Sequence, residues 1–258
     1  MTARVVLVTG AAKRIGRAIA FDLAAHGYSV AIHFNRSADD ARALAESIAA
    51  AGGHAATVSG DLADPDAPRR VIAEAQAALG PLTALVNNAS IFEADSPETV
   101  EADLWDRQLA VNLRAPVLLA RRFAAALPAS ASASASASGA IVNLLDQRVL
   151  KPTPQFFSYA VSKEALWAAT RMLAQGLAPR VRVNAVAPGP TLANVRQSPD
   201  DFRRQQEAVI LRRGPTVEEV AAGVRFLLES ASVTGQMLTV DGGQHLAWET
   251  PDVVGINE

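Results

Sequence analysis

Short apolar runs alternate along the chain with longer, alanine-rich stretches in which apolar residues recur at helical spacing. The alternation predicts an α/β fold in which one doubly wound parallel sheet of seven strands is covered by helices on both faces. The strand candidates are Val5 to Val8, Ser29 to Phe34, Ala55 to Ser59, Ala84 to Val86, Ala140 to Leu144, Val181 to Ala185 and Met237 to Val240. Helices are expected between them over Ile15 to His26, Asp39 to Ala51, Asp66 to Leu79, Thr99 to Leu127, Ser158 to Leu177 and Val217 to Leu228. Gly27, Gly52 and Gly80 stand just past three of these helices, and Thr216-Val-Glu-Glu219 has the form of a capping box. The βα rhythm runs through the whole chain, so residues 1–258 read as one domain.

Two stretches break the rhythm. Ala129 to Ser138 is a nearly perfect Ser-Ala repeat with no bulky side chain to bury, and it reads as a surface loop. Thr191 to Leu211 is long for a connection, rich in Arg, Gln and Asp, and is expected to be partly helical and to act as a lid over a site.

Composition narrows the function. Half of the 258 residues are apolar, enough for a substantial core, and the net charge of -2 offers no basic excess for a nucleic-acid partner. With no cysteine, disulfides, thiolate metal sites and a cysteine nucleophile are excluded. His26, His33, His54 and His245 show no metal-ligand spacing, so no metal is expected. The apolar run after Arg4 is too short for a signal peptide or a membrane span and is followed at once by Lys13 and Arg14, so a cytoplasmic protein is expected.

The first strand ends in Thr9-Gly-Ala-Ala-Lys-Arg-Ile-Gly16 and leads straight into a helix. Glycines there let the backbone approach a pyrophosphate, which the free amides and dipole of the helix attract. A purely structural strand-to-helix turn looks similar, but the position of this one, opening an N-terminal βαβ unit, is that of a dinucleotide site. At the end of the second strand, His33-Phe-Asn-Arg-Ser37 carries no carboxylate for a ribose 2′-hydroxyl. Arg36 and Ser37, with His33, instead offer charge and donors suited to the 2′-phosphate of NADP; the alternative is a solvated Arg36 beside an N-cap Ser37. Asp61 could accept from an adenine amino group or could be an ordinary loop acid.

Tyr159-Ala-Val-Ser-Lys163 puts a phenol and an ammonium on one face of a helix, where a cation is expected to lower the phenol's pKa and make it a usable proton donor. Together with Thr9 to Gly16, Asn87-Asn-Ala89, Asn112 and Pro188-Gly189, these residues make the chain resemble the short-chain dehydrogenase/reductase family, a Rossmann-type fold, over nearly its whole length. The resemblance implies that Tyr159 is the catalytic acid, that Lys163 holds the nicotinamide ribose, that Asn112 anchors a relay water and that Asn87 to Ala89 line the cofactor cleft. It extends the cofactor-binding set to Thr9, Gly10, Lys13, Arg14, Ile15, Gly16, His33, Asn35, Arg36, Ser37, Asp61, Leu62, Asn88, Ala89, Ser90, Tyr159, Lys163, Pro188 and Gly189. It also implies a homotetramer, with the helices Thr99 to Leu127 and Ser158 to Leu177 at the interface.

Two positions depart from the general family pattern. Arg14 stands where a glycine is usual, and Asp146, in Asn143-Leu-Leu-Asp146, stands where the catalytic serine is usual. Both departures, with Arg36-Ser37 and Asn87-Asn-Ala-Ser-Ile-Phe92, resemble the pteridine reductase branch, which includes bacterial dihydromonapterin reductases. That resemblance implies NADPH as cofactor, a dihydropterin as substrate, and Arg14, Ser90, Phe92, Asp146 and Tyr159 around it, with Phe92 stacking on the pterin. A carboxylate at 146 suits this chemistry independently. It repels a carbonyl oxyanion, whereas reduction of C=N asks for a proton at nitrogen, which a carboxylate and Tyr159 can deliver. Each residue also has a plainer alternative: Phe92 in the core, Arg14 on phosphate alone, Asp146 capping a turn. A carbonyl or 3-oxoacyl reductase and a non-catalytic NADP-binding sensor are the competing functions.

Overall fold

Val6 and Val8 of the first strand point to one side of the sheet and Val5 and Leu7 to the other, and all four are buried. A strand with no polar face must have helices on both sides. The computed structural model describes residues 4–127, 139–250 and 253–254, and in it all seven apolar runs pair in parallel: β1 (Arg4–Val8), β2 (Tyr28–Phe34), β3 (His54–Ser59), β4 (Ala84–Asn87), β5 (Gly139–Leu144), β6 (Val181–Pro188) and β7 (Met237–Val240). Their spatial order is β3-β2-β1-β4-β5-β6-β7. The Ser-Ala repeat expected as a loop lies outside the described residues, as does most of the tail after Trp248.

On the side of Val6 and Val8 pack α1 (Arg14–Ala25), α2 (Ala38–Ala50) and α8 (Val217–Glu229), through Ile19, Leu23, Leu44, Ile48, Val220 and Val224. On the side of Val5 and Leu7 pack α3 (Ala67–Leu79) and α5 (Ala115–Ala126), through Val71, Ile72, Leu119 and Phe123, with α6 (Phe157–Leu177) alongside. The expected capping box is present at α8: the Thr216 hydroxyl accepts from the Glu219 amide, and the Glu219 carboxylate accepts from the Thr216 amide. Gly27, Gly52 and Gly80 adopt positive φ where three helices end. No helix among the described residues is long and apolar enough to cross a membrane.

Three boundaries differ from expectation in ways that matter. The strand expected to stop at Ala185 continues to Pro188, because β7 pairs with it to the end and Gly189 N–H donates to Val240. The single helix expected over Thr99 to Leu127 is α4 (Ala102–Leu109), a π turn (Ala110–Arg114) and α5. Pro116 explains the break: it has no N–H for the Asn112 carbonyl four residues earlier, and its ring crowds that carbonyl. Within the expected lid, Pro199–Glu207 forms α7, capped by the Ser198 hydroxyl accepting from Asp201 N–H.

Candidate active site

A cleft of about 760 Å³ opens at the carboxyl ends of β1 and β4, where the strand order reverses. Its floor is backbone. At Gly10, with φ of +61°, a Cβ would come within 2.9 Å of the Ala89 Cα, and at Gly16 one would sit 2.3 Å from the Gly10 carbonyl oxygen. These positions admit no side chain, so the turn presents bare amides at the start of α1. Between them Arg14 adopts φ of +55°, the left-handed region, which is the physical reason a glycine is usual there. Lys13 lines the cleft and pairs with Asp40 on α2 at 2.9 Å.

Thr9 supports this turn from below rather than facing the cleft: its buried hydroxyl accepts from the amides of Asn88 and Ala89. Asn88 lines the cleft and donates to the carbonyls of Thr9 and Gly10. Asn87, expected beside it, is turned inward, donating to Asn143 at 2.8 Å, which in turn donates to Thr170 on α6.

His33 lines the cleft as expected, but not as a charged group. It is 2% exposed, its Nδ1 accepts from Gly10 N–H and its Nε2 meets the Gly60 carbonyl, and burial lowers its pKa to about 4. A neutral imidazole held between two backbone segments brings no positive charge to a phosphate. Arg36 keeps its charge free: it is exposed at the mouth of the cleft beside Asn35 and Asp61, with no partner among the described residues. Leu62 and Ser90 line the same cleft, whereas Ser37 caps α2 without a side-chain bond.

Across the cleft, α6 carries Tyr159 and Lys163, both buried. The helix begins without a capping side chain of its own, since Phe156 occupies that position in the left-handed region. Asp95 supplies the cap from far away: its carboxylate accepts from the Ser158 amide and hydroxyl, and its carbonyl accepts from Phe156 N–H. Asn112, in the π turn, braces the other side. Its side chain accepts from Ile91 N–H and the Ser90 hydroxyl and donates to the Ile91 carbonyl and the Ser162 hydroxyl, which uses its full capacity. The Asn112 side chain is therefore a strut between the Ser90–Phe92 segment and α6, which leaves its backbone carbonyl, denied a donor by Pro116, as the group of this residue that could hold the expected relay water.

The Tyr159 hydroxyl donates to Asp146 Oδ2 at 3.0 Å, and Lys163 Nζ donates to the Leu144 carbonyl at 2.8 Å. The expectation that Lys163 lowers the phenol's pKa is overturned. Burial raises the Tyr159 pKa well above its usual value, the Asp146 charge and hydrogen bond raise it further, and Arg148 alone opposes them. Lys163 is itself brought down to about 8 by burial, partly offset by Asp146. Asp146 also caps a turn, accepting from Arg148 N–H, so its plainer alternative and its place in the site hold together.

A second cavity, of about 370 Å³, adjoins the first and is lined by Asp146, Phe92, Phe156, Pro188 and Gly189. Phe92 is stacked on Phe156 at 4.2 Å and meets Tyr159 edge-on. Arg148 and Arg196 both flank this stack, each nearly equidistant from the two ring centroids at 5.5–5.7 Å. The expected lid crosses here: Arg14 donates to the carbonyls of Leu192 and Ala193, and Arg196 bonds to the Phe92 carbonyl and pairs with Glu93. Phe156, Arg148, Arg196 and Asp95 were not expected. The only local signal was two aromatics just before Ser158-Tyr159 and an Arg two residues after Asp146. Among the described residues no group of acids and histidines could hold a metal.

Comparison with known proteins gives three kinds of match. A family model described as enoyl-(acyl carrier protein) reductase matches residues 10–245. A short-chain type dehydrogenase/reductase from Picea abies is 32% identical, over 93% of this chain and 92% of its own. The 3-oxoacyl-(acyl-carrier-protein) reductase FabG of Staphylococcus epidermidis is 31% identical, over 93% of this chain and 98% of its own. In structure, FolM alternative dihydrofolate reductase 1 from Brucella canis, crystallised with NADP, is similar with a TM-score of 0.92 and 51% identity over 97% of each chain.

Proposed function

Because the chain belongs to the short-chain dehydrogenase/reductase family, we propose that it is an NADPH-dependent oxidoreductase whose substrate is a dihydropterin. Its residues fit that cofactor: Gly10 and Gly16 leave a cradle that a Cβ would fill, and Arg36, without a partner among the described residues, follows β2 in a stretch, Asn35-Arg36-Ser37, that carries no carboxylate. When bound, NADPH supplies the hydride, whose electron pair goes to the carbon of a substrate C=N bond. The chain supplies the proton. Tyr159 gives its hydroxyl proton to the ring nitrogen, and the phenolate recovers a proton from solvent by way of Asp146.

The observation that carries this reading is the 3.0 Å bond from the Tyr159 hydroxyl to Asp146. In carbonyl reduction a second donor is wanted beside Tyr159 to meet the developing oxyanion, and an ionised carboxylate there offers only an acceptor and a repelling charge. A ring nitrogen that gains a proton has no such conflict. The Phe92–Phe156 stack, flanked by two guanidinium groups, leaves one aromatic face on each ring to which a planar polar heterocycle is suited. Similarity to FolM supports the same reading, while similarity to FabG supports 3-oxoacyl reduction as the second one.

The test is NADPH consumption with dihydrobiopterin and dihydromonapterin beside a ketone panel and a 3-oxoacyl thioester, with NADH as control. Turnover of a pterin, with NADPH preferred, is the expected result. Turnover of the thioester or ketones alone would sink the pterin assignment while keeping the cofactor.

A further inference from the structure

Arg148 grips Asp146 from two directions. Its backbone N–H donates to Asp146 Oδ1 at 2.9 Å, and its guanidinium approaches the same oxygen at 3.5 Å and Oδ2 at 3.3 Å. Oδ2 is also the atom that accepts the Tyr159 hydroxyl. We propose that, in the reaction inferred above and resting on that reading, Arg148 is a positioning residue for proton transfer, holding the Asp146 carboxylate on the Tyr159 hydroxyl and balancing its charge.

The charge balance is the physical core of the case. When Tyr159 releases its proton to the ring nitrogen, a phenolate appears one hydrogen bond from an existing carboxylate. Side-chain exposure of Arg148 and Asp146 is only 19% and 17%, so water screens the two negative charges weakly. A cation on the carboxylate offsets that repulsion, and Arg148 is the one group that opposes the upward shift of the phenol. Lys163 on α6 faces the ring of Tyr159 at 5.6 Å but spends a donor on Leu144, and Arg14 and Arg196 across the cavity are engaged with carbonyls and Glu93.

Arg148 is itself fixed. Its guanidinium stands beside the Phe92–Phe156 stack, 5.5–5.7 Å from both centroids, so carboxylate and aromatic pair share one neighbour. Its Nε is buried without a partner. A buried donor left unpaired costs about 1–3 kcal/mol, so folding stability alone does not account for this placement.

The experiment compares Arg148→Gln and Arg148→Lys with the wild-type chain, measuring kcat and KM across pH, NADPH affinity by fluorescence, and Tm. For Arg148→Gln the expected kcat is about 10- to 100-fold lower, as loss of a charge-assisted bond predicts. NADPH affinity stays within about twofold, and the pH limb reporting ionisation at the Tyr159–Asp146 pair moves to higher pH, because a stabilising cation has gone. Arg148→Lys restores part of the rate and returns the limb toward its original pH. An unmoved pH profile, or a rate loss that follows a fall in Tm and is not rescued by lysine, would overturn the proposal. If the wild-type chain reduces a ketone or thioester instead of a pterin, the function proposed above fails, and the same profiles with that substrate still decide the role of Arg148.

Discussion

The cleft is walled by backbone after β1, whereas the cavity beside it is walled by side chains that follow β4 and β5. In the first region Gly10 and Gly16 leave no room for a Cβ, Thr9 and Asn88 tie the turn to β4, and His33 joins it to Gly60 as a neutral group. In the second, Tyr159, Asp146, Arg148 and the Phe92–Phe156 pair contact one another, while Asp95, Asn112 and Arg196 hold the segments that carry them. The difference is the one that the proposed ligands call for. A pyrophosphate carries the same charge in every dinucleotide and is well served by fixed amides, whereas a reacting ring needs groups that gain and lose protons. One region is thus sensitive to volume and to burial, the other to charge.

The sharpest way to break that contrast is Tyr159→Phe, which removes one proton donor and little volume. Turnover should fall about 10²- to 10⁴-fold while NADPH still binds and Tm barely moves. Retention of more than a tenth of the activity would mean that the proton comes from elsewhere.

A smaller effect is expected from His33, read through stability. Its folded pKa of about 4 lies below the 6.5 of the free side chain, so the unfolded chain binds more protons between those values. The contribution is complete above pH 6.5 and is lost as pH falls toward 4, amounting to about 3 kcal/mol. Urea unfolding of His33→Asn should show a flatter pH dependence over that window; curves parallel to the wild type would mean that His33 is not held neutral.

The mildest change is Phe92→Leu, which keeps an apolar wall but loses ring stacking. KM for the pterin should rise about 3- to 10-fold, in line with about 0.5–1.5 kcal/mol for an aromatic pair, with a smaller change in kcat. An unchanged KM would place the substrate ring away from Phe92.

Most of the fold was legible because its signals are local. All seven strands appear where apolar runs stand, and the helix expected over Thr99 to Leu127 begins only at Ala102 and is broken where Pro116 forces a π turn. The site was less legible. Gly10, Gly16, Asn88, Arg36, Asp146 and Tyr159 come together at the cleft and its neighbouring cavity, whereas the side chains of Thr9, Asn87 and Asn112 brace it from behind.

What the chain determines by itself is what neighbouring residues settle among themselves: strand and helix periods, the glycine turn, and the four-residue spacing of Tyr159 and Lys163. Only the tertiary structure decides that Asp95 caps α6, that His33 is neutral, that burial raises the phenol despite Lys163, and that Arg148 stands beside the aromatic pair. Each of those outcomes depends on desolvation or on a partner distant in sequence, and the free energy of a charge or a polar group is set by what surrounds it in space.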